Sequence, residues 1–300
     1  MNRTSVIEIG SNSVKLLAAR VANGAMQDVI EKVVITRLSE DMSDGIIKKA
    51  PLLRTVKAIK SLSALAKRSG SSSPSVFATA ALRDAKNKTE ALAEIKKATG
   101  FVVDVVCGKS EAKLSRIGAT IGLSPAEAKN AAVVDVGGRT TELSIPPFFI
   151  CAPAGAVRLK EELRLGERPD VEGLYAAMDA AAKILRKHAG RPARTRKAWN
   201  LIGVGGTFTT LARAMGRNIE ALVAIEYKDL ARMAVKLAVT NLKGREDIFK
   251  VEPGRADIIV EGAAIALAAA EMLNASKVVV SQRGARHGYL LRSSRSDRSD

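Results

Sequence analysis

The sequence predicts an α/β protein of two lobes with a cleft between them, and three observations carry that expectation. Three short apolar strands each run into a loop of glycines and hydroxyls: SVIEIGSNSVKLL (5–17), VVDVGGRTTEL (133–143) and LIGVGGTFTTLA (201–212). Each half of the chain opens on a hairpin around glycines and goes on to helices alternating with strands. This is an internal duplication of architecture with little sequence identity. Finally, 300 residues is long for one compact core, so two domains are expected, at 1–128 and 129–300.

The elements follow in order. Residues 5–9 read as a strand, 14–21 as its hairpin return and 29–37 as a third strand, with a turn signal at Asn23-Gly24. Apolar positions 52, 53, 56, 59, 62 and 65 have helical spacing and predict a helix over 52–67. A strand at 75–79, a helix at 87–99 closed by Gly100, a strand at 101–107 and a helix at 110–122 complete the first half. The second half restarts with a strand at 132–136 and its return at 143–145. Helices are expected over 172–188, 207–215, 228–241 and 257–273, and a late strand over 277–281.

Composition sets limits on function. Aromatic residues are only 3% of the chain, which argues against a base-stacking nucleic-acid surface. No apolar run reaches the roughly 18–20 residues of a membrane span. The richest run, Gly262 to Leu273, is Ala-heavy, carries Glu271 and reads as a buried helix. Met1, Asn2 and Arg3 lead straight into a strand, with no room for a signal peptide. Cys107 and Cys151 form no CxxC and lie near no His cluster, and His188 and His287 are far apart. A reducing, cytoplasmic setting without a zinc site is expected. The formal net charge is +17, with a dense patch from Lys183 to Lys197 and an Arg/Ser/Asp tail after Leu291. Such a surface attracts polyanions, whether nucleic acid, anionic lipid or polyphosphate, and equally serves solubility, so charge alone does not choose.

The loops carry the chemistry. A strand that delivers Asp135 to a Gly137-Gly138 turn sets a carboxylate beside backbone N–H groups, which is what a phosphate–metal site needs. Asp135 and Glu142 read either as a cation pair or as a capping Asp with a surface Glu. Glu111, just inside a helix start, reads as an acid that complements the helix dipole. Tight turns would explain any one of the glycine loops; their recurrence favours a phosphate cradle, because glycine permits close backbone approach and Ser and Thr add donors.

Seven segments, in order and over nearly the whole chain, resemble the exopolyphosphatase/guanosine pentaphosphate phosphatase family in its short, two-domain form. SVIEIGSNSVKLL resembles the first phosphate loop, VFATAALRDAKN (76–87) the ATxAxRxAxN segment, CGKSEAKL (107–114) the SGxEEAxL helix start and VVDVGGRTTEL the DIGGGSTEL loop. LIGVGGTFTTLA, PGRADII (253–259) and VVVSQRGARHGYLL (278–291) complete the series. The resemblance implies two lobes of the actin, sugar-kinase and heat-shock ATPase type, a ribonuclease H-like fold duplicated. It also implies hydrolysis of the terminal phosphate of inorganic polyphosphate with Mg2+ or another divalent cation.

By that resemblance Glu111 matches the catalytic glutamate, a general base for in-line attack by water. Asp135 and Glu142 match positions that serve a metal or position water, with Glu8 as a further metal-side carboxylate. Gly10, Ser11, Asn12, Ser13, Gly137, Gly138, Thr140, Gly205, Gly206 and Thr207 would cradle phosphate, with Lys15, Arg139 and Arg255 as cations. Arg255 would act through its bidentate fork. Arg83 reads better as structural, holding a carboxylate between a strand and a helix. Glu8 stands where most relatives have Asp, Lys15 where they often have Arg, and His287 where they have Glu. Arg139 replaces a third glycine, either obstructing the loop or adding a cation. Guanosine pentaphosphate hydrolysis is the alternative within the family, and a phosphate- or nucleotide-binding regulator without turnover is the alternative outside it. A sugar kinase or chaperone-like ATPase suits the fold but not the Glu111 and RADII signatures. A homodimer would extend the basic track.

Overall fold

A computed structural model describes residues 3–22, 25–71, 73–190, 192, 198–220 and 222–296. The turn expected at Asn23-Gly24, residues 191 and 193–197 of the basic patch and the last four residues of the tail lie outside the described residues. The chain forms two compact units. The first runs up to Leu114 and takes in the segment from Ala285 onward; the second is Ser115–Gly284.

The first unit contains β1 (Thr4–Ile9), β2 (Ser13–Ala22), β3 (Ala25–Ile35), α1 (Lys49–Arg68), β4 (Ser75–Ala78), α2 (Ala80–Arg83), α3 (Lys88–Thr99) and β5 (Val103–Val105), and begins α4 (Gly108–Ala119). Among the described residues its sheet has the order β3-β2-β1-β4-β5. Pairing is antiparallel across β3, β2 and β1, and parallel from β1 through β4 to β5. Central β1 buries Val6, Ile7 and Ile9. Val56, Ile59 and Leu62, at helical spacing, form the buried side of α1. Helix α3 ends at Gly100, whose φ of 78° is the left-handed cap that glycine adopts without steric cost.

The second unit contains α5 (Pro125–Asn130), β6 (Ala131–Val136), β7 (Thr141–Ile145), β8 (Phe148–Ala152), α6 (Ala156–Leu163), α7 (Asp170–Ala189) and β9 (Asn200–Val204). It continues through α8 (Gly206–Ala214), β10 (Val223–Glu226), α9 (Tyr227–Ala238), α10 (Leu242–Asp247), α11 (Pro253–Ala256), α12 (Ile259–Met272) and β11 (Lys277–Val280). The chain then returns to the first unit as α13 (Ala285–Ser296). The sheet order is β10-β11-β9-β6-β7-β8. Without the edge strand β10, the order β8-β7-β6-β9-β11 repeats that of the first unit, with the same antiparallel and parallel pairings. This is the duplicated, ribonuclease H-like α/β architecture that the sequence predicts. The Ala-rich run becomes α12, buried along almost its whole length within the larger core. The helix expected over 257–273 is α12, which starts two residues later at Ile259, after the separate four-residue turn α11.

The expected boundary at 128/129 differs from the compact units on two counts. The division falls earlier, inside α4, and the last helix belongs with the first unit. The second difference has a packing cause. Tyr289 of α13 stacks on Phe77 of β4 with ring centroids 4.4 Å apart, and its hydroxyl donates to Asp104 at 3.0 Å. Among the described residues no helix is long and apolar enough to cross a membrane.

Candidate active site

In the second unit, β6 brings Asp135 to the end of the sheet and the antiparallel β7 places Glu142 opposite it in register. Cross-strand partners share a face, so the two carboxylates lie on the same side of the sheet. Glu142 is 2% exposed, and the thiol of Cys151, its register partner on β8, donates to Oε1 at 3.3 Å. Asp135 Oδ2 accepts a 2.6 Å hydrogen bond from Ser115 Oγ of α4.

The hairpin beyond Asp135 is closed by Gly137 N–H donating to Thr140 O at 3.0 Å; a Cβ on Gly137 would stand 2.9 Å from that oxygen. The loop carbonyls are taken up by α6. Ala156 N donates to Gly137 O, and Val157 N and Arg158 N both donate to Gly138 O. Arg139 is 7% exposed, and its Nη1 lies 3.2 Å from Glu161 Oε2 on the same helix. The third loop meets this one at Asp135. Gly205 has φ 90°, and a Cβ there would stand 2.5 Å from Asp135 Oδ1. A Cβ on Gly206 would stand 1.9 Å from Arg255 Nη1, so the guanidinium rests on the Gly206 backbone. Thr207 is buried against Gly262 at the start of α12. Two glycine loops, two carboxylates and one guanidinium thus gather at the ends of β6 and β9.

In the first unit, Gly10 N donates to Ser13 O at 3.0 Å, closing the first loop. The N–H groups of Thr36 and Arg37 both donate to Asn12 O, and that of Ser39 donates to Ser11 O. Lys15 Nζ bonds Glu8 Oε1 at 2.7 Å, the two being register partners on β1 and β2. Burial opposes ionisation of Glu8, but Lys15, Arg286 and His287 outweigh it and hold its carboxyl below the ordinary value. Arg286 and His287 also reach Glu31 on β3, at 3.1 and 2.9 Å. Burial opposes ionisation there as well, yet the hydrogen bond from His287 and the charge of Arg286 bring the Glu31 carboxyl down to about 2.

Glu111 sits in the first turn of α4, 8% exposed, with Oε2 accepting from Arg83 Nη1 at 2.7 Å. The same nitrogen reaches Val106 O at 3.4 Å. Arg83 therefore holds a carboxylate at a strand-to-helix junction, as its sequence context favours, and the carboxylate is Glu111. Sequence reasoning missed Ser115, Cys151 and the backbone donors at 36–39. Ser115 lies one helical turn after Glu111, but no pattern of residue types ties it to Asp135.

A chain with this pair of matched sheets is a duplicated α/β protein, and the comparisons narrow the class. A sequence model described as the Ppx/GppA phosphatase family matches residues 17–297. Exopolyphosphatase 2 of Mycobacterium tuberculosis is 28% identical over 291 residues, covering 88% of this chain and 89% of that protein. A solved structure of the Aquifex aeolicus PPX-GPPA enzyme is 26% identical, with a TM-score of 0.76 over 97% of this chain and 99% of that one. An exopolyphosphatase from Cytophaga hutchinsonii is 19% identical with a TM-score of 0.87 over 97% and 98% of the two chains, a likeness of fold. The chain belongs to the Ppx/GppA phosphatase family, and its enzyme class is the phosphoric anhydride hydrolase of exopolyphosphatase-like type.

Proposed function

We propose that this protein removes the terminal phosphate from inorganic polyphosphate by in-line attack of water. The observation that carries this reading is the convergence at Asp135: Glu142 opposite it, Gly205 against Oδ1, and Arg255 resting on the next glycine. In this reading the backbone of Gly137-Gly138 and Gly205-Gly206 and the hydroxyls of Thr140 and Thr207 cradle phosphate oxygens. The loop Gly10, Ser11, Asn12 and Ser13 serves the same end in the first unit. Arg255 binds a phosphate with two parallel donors and offsets the charge that develops on its oxygens.

Glu111 is the general base. It orients a water toward the terminal phosphorus and takes its proton as the new P–O bond forms and the bridging P–O bond breaks, the shortened chain leaving with the bridging oxygen. Arg83, bonded to Glu111 Oε2, fixes the carboxylate's orientation. Among the described residues no three or more His, Cys, Asp or Glu side chains gather as a metal cage. Two hard carboxylates sharing one face of a sheet nonetheless fit Mg2+, which takes one or two protein carboxylates and completes its shell with water and phosphate oxygens. Asp135 and Glu142 are the residues that would hold it, and the ion would neutralise phosphate charge. Glu8 is a weaker candidate for a metal-side role, because it is already neutralised by Lys15.

The test is orthophosphate release by purified protein, with Mg2+, from long-chain polyphosphate and from guanosine pentaphosphate in parallel. The reading predicts release from polyphosphate with the larger kcat/KM. A larger value for guanosine pentaphosphate would move the substrate assignment, and binding of either without release would make the protein a regulator.

A further inference from the structure

Helix α6 touches two parts of the proposed phosphate site at once. From its first turn, the amides of Ala156, Val157 and Arg158 hold the carbonyls of Gly137 and Gly138, and further along the helix Glu161 holds Arg139. From its next turn, Lys160 Nζ bonds Asp257 Oδ2 at 2.7 Å. Asp257 is the C-cap residue of α11, two positions after Arg255. A helical piece of four residues does not sustain its own shape, since one turn fixes several dihedrals for a single hydrogen bond. The α11 turn therefore depends on what holds it from outside. One tether is internal: Arg245, 1% exposed, donates from Nη1 to Ala256 O at 2.7 Å and from Nε to Leu237 O at 2.8 Å. A second is the Lys160–Asp257 pair, which starts from the helix that also pins the Gly137-Gly138 loop.

We infer that Lys160 is a positioning residue, bracing the turn that carries Arg255 against the Gly137-Gly138 loop through α6. The inference rests on the phosphate-binding role proposed for Arg255. The Lys160 side chain is 39% exposed and Asp257 16%, so the pair is reachable by mutation without opening the core. A part-exposed ion pair also contributes little to global stability. Its effect should thus appear in the geometry of Arg255 and not in whether the protein folds.

The experiment compares wild type, Lys160→Met, Lys160→Arg, Arg255→Ala and the Lys160→Met/Arg255→Ala double variant by two readouts. The first is hydrogen exchange of the amides in 253–259. Lys160→Met should accelerate exchange there by about tenfold with little change in Tm, because local opening free energies are set by local contacts. Exchange as slow as in wild type would overturn the brace. The second readout is polyphosphate turnover. Lys160→Met should raise KM by about tenfold, Lys160→Arg should restore most of it, and in the Arg255→Ala background Lys160→Met should add nothing, since coupled residues are non-additive. Equal fold-losses in both backgrounds would show that Lys160 does not act through Arg255. If wild type releases no phosphate, the functional reading fails, while the exchange measurement still decides the brace.

Discussion

Asp135 and Glu142 were recognisable as a pair because a hairpin of known length fixes the register of its strands, and seven residues across a Gly-Gly turn put them face to face. Ser115 was not recognisable. It lies on another element, and a serine inside a helix has no residue-type signature until the fold brings it to 2.6 Å from Asp135. Arg139 could be read from sequence as an obstruction or a cation; the structure places it against Glu161. Glu261 was passed over because it looks like one more helix-start acid. It is 2% exposed, Oε2 has no hydrogen-bond partner among the described residues, and burial pushes the carboxyl up to about 7, with Lys160 and Arg245 opposing the shift. The folded-state value is raised above the ordinary 4.5. Stability linked to this group is therefore fully present below about 4.5 and is lost as pH rises through about 7. At about 1.4 kcal/mol per pH unit the gap amounts to about 3 kcal/mol. Glu261→Gln keeps the shape without the charge. In denaturant titrations it should be more stable than wild type by about 3 kcal/mol at pH 8 and nearly equal to it at pH 4. Equal stabilities at pH 8 would contradict the burial account.

At the scale of elements, the third glycine loop gives the sharpest prediction. Gly206 needs no left-handed backbone, unlike Gly205, and the atoms nearest to a new Cβ all belong to Arg255, with Nη1 at 1.9 Å. Gly206→Ala should displace the guanidinium while leaving α8 formed. Loss of a charge-assisted contact of about 1.5–3 kcal/mol corresponds to a fall of about 10- to 100-fold in kcat/KM for polyphosphate. Unchanged kinetics would remove Arg255 from the site. Strands β6 (AAVVDV) and β9 (NLIGV) were legible because each carries a short apolar run that leads straight into a Gly-Gly pair. Strand β10 is only four residues, VAIE, and reads equally well as the edge of the helix that follows it. Helix α6, AVRLKEEL, is only eight residues long and gives too few turns for periodicity to stand out. The brace proposed above therefore lies in an element that sequence pattern alone does not reveal.

At the scale of the molecule, the duplication of architecture was predictable from the recurring glycine loops and from the alternation of strands and helices; the strand order itself was not. The division between units was not, because it depends on Tyr289 stacking on Phe77 from the far end of the chain. The formal net charge of +17 adds a long-range field. Neutralising phosphates with Lys and Arg releases counterions, so polyphosphate binding should weaken steeply with salt. Between 50 and 200 mM NaCl, KM for long-chain polyphosphate should rise by about tenfold or more, and KM for tripolyphosphate by clearly less, because fewer contacts form. Equal salt slopes for the two substrates would show that the wider basic surface takes no part in capture.

The central claim is that Glu111 activates the attacking water. The most direct measurement is orthophosphate release from polyphosphate by wild type and Glu111→Gln, paired with calorimetric binding of the same polymer to both. The account predicts that Glu111→Gln lowers kcat by about 10²–10⁴-fold with binding retained. Turnover by Glu111→Gln at the wild-type rate would contradict it.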